Sequence, residues 1–180
     1  MKAIDKQNRT KVLLMSAFSL ATCILCLLVF RGPLSIASAL LIPAVIVVFS
    51  KSCGILYHVL TSAGMIAVTF LFFQAQVFFV IAYILLSFGL RLLLVSAGME
   101  VRFKPFRVII FVLLATAVLY IGIRLTEWVF LVPLHKMMLS LSGYNDLRYF
   151  AMMLAEGTLV FVLNAVILKA LFPKIRAAVR

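Results

Sequence analysis

The sequence predicts an all-α integral membrane protein: a bundle of six transmembrane helices with one long outer connection between the fifth and the sixth. Three observations carry this. Of 180 residues, 66% are hydrophobic and only 12% charged, with a mean hydropathy of +1.26, whereas soluble domains keep about a quarter of their residues charged. The apolar residues fall in runs close to the ~20 residues needed to cross a hydrocarbon core ~30 Å thick. The basic residues collect between those runs, mainly on one side. Six spans and their loops use up the chain, so residues 1–180 are read as a single transmembrane domain.

The first span is residues 12–30, preceded by "MKAIDKQNRTK". It is similar at first sight to a secretion leader, but the apolar run exceeds the usual h-region, and Arg31 and Pro33 separate it from the small residues "ASA". It is expected to be retained. The second span, residues 34–49, is the shortest and contains Pro43, which neighbouring helices can accommodate. Were it re-entrant, the "RFKPFR" cluster would move to the outer side, so the charge rule requires it to cross. Residues 55–73 and 77–95 are divided only by "QAQ". As one helix they would reach about 60 Å, twice the core thickness, so a tight hairpin is expected there. The fifth span covers residues 108–123 or somewhat beyond, and the sixth covers 150–172.

With both termini inside, the inner face receives Lys2, Lys6, Arg9 and Lys11, then Lys51, then Arg102, Lys104 and Arg107, then Lys169, Lys174, Arg176 and Arg180. The outer face receives Arg31, Arg124, Lys136 and Arg148. Arg91, near the inner end of the fourth span, is expected to snorkel to the inner head groups. The net charge of +12 and pI of 10.2 therefore point to anionic lipid head groups as partners and not to nucleic acid, because the bases flank apolar runs instead of interleaving with exposed aromatics. Cys23 and Cys26 form a CxxC in mid-helix with no second ligand pair, so they read as small helix residues. No metal and no cofactor is expected.

The outer connection, residues 124–149, holds "EWVFLVPLHKMM" and is too apolar and aromatic to be disordered. Leu131, Leu134, Met138 and Leu141 stand at helical spacing, which predicts a short helix after Pro133 ending at Gly143. Trp128 reads as an interfacial anchor or as a ligand-stacking ring. Glu127 reads as an i,i+3 partner of Arg124, and His135 and Lys136 as head-group contacts. Tyr144, Asn145 and Asp146 after Gly143 read as a turn. Together these groups form a polar rim at one end of an apolar bundle, the arrangement of a pocket opening outward. Within the spans, Glu156 should face the bundle interior, a cation or water, since lipid exposure of a carboxylate is costly. Asn164 reads as interhelical glue or a ligand contact, and His58 as a structural hydrogen-bonding group. The chain carries no HExxH, GxSxG or Walker loop, so it is not expected to be an enzyme.

In the first span Ala17 and Ala21 have small-xxx-small spacing, which lets a second helix approach closely. This AxxxA, the basic N-terminus, six short spans, the "FLVPLHKM" run before the last span and the terminal "LNAVILKALFPKIRAAVR" resemble the substrate-binding S component of an energy-coupling factor transporter. That resemblance implies a bacterial cytoplasmic-membrane protein that captures a small vitamin-like or apolar solute from outside. It implies Glu127, Trp128, His135, Tyr144, Asn145, Glu156 and Asn164 as solute contacts. It further implies a partner transmembrane subunit with two ATPases, docked at Ala17 and Ala21. The rod-shape-determining MreD family looks much the same in size and span number, and it implies a non-catalytic envelope scaffold instead. "FFQAQ" stands where that family carries an acidic motif after the third span.

Overall fold

The structure, a computed structural model, describes residues 2–29, 35–94 and 104–179. They fold into α1 (Lys2–Val29), α2 (Ser35–Phe72), α3 (Val77–Gly89), α4 (Pro105–Phe130), α5 (Leu134–Leu141) and α6 (Asp146–Val179). Five stretches are long and apolar enough to cross a membrane: Arg9–Val29, Cys53–Phe72, Gln74–Leu93, Pro105–Phe130 and Asp146–Leu171. Leu41–Ser50 is a shorter apolar helix. The chain is a multi-pass membrane helical bundle whose outward rows, Leu13, Leu14, Phe70, Leu71 and Leu92 among them, suit contact with lipid tails.

α2 contains two expected segments joined without a loop. Gly54, at φ 84° and ψ −172°, breaks it into limbs 35–53 and 55–72, in a backbone region essentially reserved for glycine. Pro43 lies inside the first limb, and the non-helical residue is Gly54, eleven positions further on. The first limb is enclosed over its described middle, with Ile42, Ala44, Ile46, Val47 and Val48 closed to solvent. It starts near α5, where Ser38 shares a cavity with Leu27, Gln76 and Leu134. It finishes at the opposite end, where Phe49 meets Tyr57 of the second limb with ring centroids 6.3 Å apart.

Among the described elements α1 packs on α2 alone. Tyr57 donates its hydroxyl hydrogen to Ser19 Oγ at 2.5 Å, and Gly64 leaves room for Leu20, whose Cδ2 would stand 3.1 Å from an added Cβ. The glutamine hairpin is present as a 3₁₀ turn over Gln74–Gln76. α3 runs back from it and passes into a π-helical turn, Leu90–Leu94. Arg91 in that turn is partly buried, and its Nη1 is closed to solvent without a hydrogen-bond partner. His58 on α2 meets Ser87 of α3, Nε2 to Oγ 2.9 Å, and stacks on Phe88 at 3.9 Å, as a structural histidine would.

α4 is longer than predicted at both ends. Pro105 opens it at a position where the missing N–H costs nothing. At the other end the buried stripe of Leu119, Gly122, Ile123 and Thr126 continues past Arg124, which sits on the outward face. The connection expected over residues 124–149 is thereby shortened to 131–145, and α5 occupies the middle of it. The short helix after Pro133 is present, ending before Gly143 at φ 69°. α4 and α6 lie very close at Gly157, where an added Cβ would stand 2.5 Å from Thr116 Oγ1 and 3.0 Å from the Val112 carbonyl oxygen.

Candidate functional site

α5 packs against α4 and α6 at one end of the bundle, and its fixation begins with the turn that follows it. Tyr144, at φ 57°, donates its N–H to the Leu139 carbonyl at 2.9 Å, and Gly143 donates to Ser140 at 3.0 Å. These bonds satisfy carbonyls that a helix end leaves free. Asn145 Oδ1 then accepts the Arg148 N–H at 3.0 Å and caps α6. Ser142 ties both together, donating to Leu139 and lying 3.3 Å from the Asn145 carbonyl.

Beneath this strap, between α4 and α6, lies an apolar groove of about 600 Å³. Leu113, Ala117, Phe150 and Met153 form its walls. Its α5 end is aromatic: Tyr120, His135 and Tyr149 stand with ring centroids 5.0 Å apart for His135 and Tyr149, and 6.2 Å and 6.3 Å for Tyr120 to His135 and to Tyr149. Asp146 also lines the groove. Tyr149 is 6% exposed, yet its hydroxyl has no hydrogen-bond partner, and His135 Nδ1 is buried and unpartnered beside it. Two unsatisfied polar atoms in an apolar recess are costly unless something else meets them. A smaller cavity of about 210 Å³ lies on the other side of α5, lined by Ser38, Gln76, Tyr83, Thr126 and Leu134, with Gln76 Oε1 unpartnered.

Of the residues expected to contact a solute, His135 lines the groove. Glu156 is partly buried on α6 and lines neither the groove nor the smaller cavity. Glu127 is paired with Arg124, Oε2 to Nη1 2.9 Å, as its spacing suggested, and also acts on Tyr149. Trp128 is 78% exposed and Tyr144 75% exposed, and neither lines the groove. Asn145 serves as the cap of α6. Asn164 is fully buried, donates Nδ2 to the Val160 carbonyl at 2.8 Å and leaves Oδ1 unpartnered. It lies two turns beyond Glu156, outside the groove. Ala17 and Ala21 are exposed on the side of α1 away from the buried row Ser16, Ser19, Cys23 and Leu27.

Sequence reasoning missed Tyr120 and Thr116, and it treated Tyr149 only as the end of a loop. Comparison with protein-family models, with curated proteins and with solved structures returns no match to this chain.

Proposed function

We propose that the chain is the membrane-embedded solute-binding subunit of a multi-component transporter, taking a small apolar or amphipathic solute into the groove between α4, α5 and α6 from the outer side of a bacterial cytoplasmic membrane. The observation that carries this is an apolar recess of about 600 Å³ lined by Tyr149 and His135, whose hydroxyl and Nδ1 are buried and unpartnered. Such a recess, apolar with a few converging polar groups, is the usual form of a small-molecule site. The chain has no nucleotide-binding motif, so uphill transport would draw its energy from a partner, such as a transmembrane subunit with ATPases, docked along the exposed Ala17 and Ala21 face of α1.

The orientation supporting this reading has six crossings and both termini in the cytoplasm. Residues 35–53 make about 28 Å of helix at 1.5 Å per residue and pass from the α5 end to the opposite end. With that parity the α5 end faces out and the basic turns face in.

A second reading, an MreD-like membrane scaffold, is favoured by one observation: the long outward row of α1, Leu13, Leu14, Ala17, Ala21 and Leu25, is exposed to a partner helix whether or not a solute binds. Purification in mild detergent with mass spectrometry of co-purifying species separates the two. A stoichiometric small solute together with an ATPase-bearing complex is expected. Recovery of an envelope-assembly protein without any solute removes the transport reading.

A further inference from the structure

The chain has only five acidic residues against 17 lysines and arginines. One of the five, Asp146, lines the groove, while Glu156, Arg124 and Glu127 all act electrostatically on Tyr149 from outside the lining. Glu127 is already paired with Arg124, whereas among the described residues neither Asp146 nor Glu156 has a basic partner. The other nearby bases do not line the groove: Lys136 is exposed on α5, and Arg148 lies against Gly143, its Nη1 3.8 Å from where a Cβ would stand. A protein with a large positive charge thus keeps an unpaired carboxylate, Asp146, in the lining of one aromatic recess.

The unsatisfied atoms point the same way. A neutral imidazole nitrogen without its hydrogen and a phenolic oxygen both accept hydrogen bonds. The faces of Tyr120 and Tyr149 attract a cation through their quadrupoles. Below them the walls from Tyr120 to Leu113 offer about 10 Å of apolar surface along α4, with Phe150 and Met153 opposite. A bound anion would face Asp146 and find no free guanidinium or ammonium in the lining. A purely apolar guest would leave the Tyr149 hydroxyl and His135 Nδ1 unmet.

We propose that the groove selects a protonated amine on a compact apolar body, with the ammonium held by Asp146, His135 Nδ1 and the Tyr149 hydroxyl against the Tyr120 ring, and the apolar body laid along Leu113, Phe150 and Met153. This rests on the solute-binding reading and names its ligand class. Charge-assisted hydrogen bonds to a carboxylate in such a setting are stronger than neutral ones, and they would make the amine the preferred member of an isosteric set.

The test is calorimetric titration of the full chain in nanodiscs, with empty nanodiscs subtracted, using 1-adamantylamine, 1-adamantanol and adamantane-1-carboxylate. Saturable one-to-one binding of the amine is expected, about tenfold or more tighter than either analogue. Asp146→Asn should erase most of that preference while the alcohol still binds. Tyr149→Phe should weaken the amine severalfold, with elution volume on gel filtration unchanged in both variants. Tighter binding of the carboxylate or the alcohol overturns the amine assignment and leaves a solute-binding subunit standing. If none of the three binds but a small molecule co-purifies with the chain, the assignment also falls alone; if nothing binds and nothing co-purifies, both fall.

Discussion

Tyr149 concentrates the chemistry of this molecule at the scale of one side chain. It is nearly closed to solvent, carries an unpartnered hydroxyl, and meets His135 across 5.0 Å and Tyr120 across 6.3 Å. Its placement depends on a residue with no side chain at all. Gly157, two turns along α6, lets that helix rest against Thr116 and Val112 of α4, where the Thr116 hydroxyl also lies 3.4 Å from the Met153 carbonyl. Gly157→Ala would place a methyl group inside the contact, so we expect a loss of about 1–3 kcal/mol from overpacking, read as a lower melting temperature in detergent, together with weakened solute binding as α4 and α6 separate. A milder test lies at the other side of the bundle. Tyr57→Phe removes the hydroxyl that donates to buried Ser19 and should cost about 0.5–1 kcal/mol, in the same melting assay, without changing binding. Local pairs were legible from sequence because the helix repeat dictates them: Arg124 with Glu127 at i,i+3, and Asn145 after a glycine as a turn residue. Tyr120 was not, because an aromatic in an apolar run gives no sign of whether it faces lipid or a neighbour until the rotation of α4 against α6 is known.

Among elements, α1 and α5 differ in how they are held and therefore in what they can do. α5 is strapped by the Leu139 to Asn145 hydrogen bonds and closes the groove. Its start after Pro133 and its end at Gly143 were readable because proline and glycine act through the local backbone, without reference to the rest of the fold. The break in α2 was bracketed by the end of one apolar run at 49 and the start of the next at 55. Pro43 lies inside the first limb, and the chain bends at Gly54, where a positive φ is needed. Gly54→Ala should therefore destabilise the protein by about 1–3 kcal/mol, although nothing lies within 4 Å of the added Cβ; an unchanged melting curve would show that this turn bears no strain. α1, by contrast, touches only α2 among the described elements and leaves Ala17 and Ala21 outward. Ala17→Leu and Ala21→Leu together should alter stability by no more than about 0.5 kcal/mol, as exposed sites do, while abolishing recovery of a partner subunit in pull-downs. Undiminished recovery would move the docking surface away from α1.

For the whole molecule, the decisive quantity is the number of crossings, because it determines which end of the bundle meets the outside. Among the described residues five stretches are long and apolar enough to cross, and Leu41–Ser50 is a shorter apolar helix. The six-span reading counts that stretch as the sixth. Its Ile42, Ala44, Ile46, Val47 and Val48 are all enclosed, and its limb of α2 connects Ser38 near α5 to Phe49 near Tyr57. An even count puts Lys104 and Arg107 at the inner surface and Tyr144 at the outer one. The measurement is labelling of intact cells with a membrane-impermeant maleimide, after Cys23, Cys26 and Cys53 have been replaced by alanine. Tyr144→Cys, at a position 75% exposed in a turn, should react at once, and Lys104→Cys should react only after the cells are opened. The reverse pattern would turn the groove toward the cytoplasm. A solute captured there could not come from outside, and the Tyr149 recess would instead have to serve release or an internal ligand.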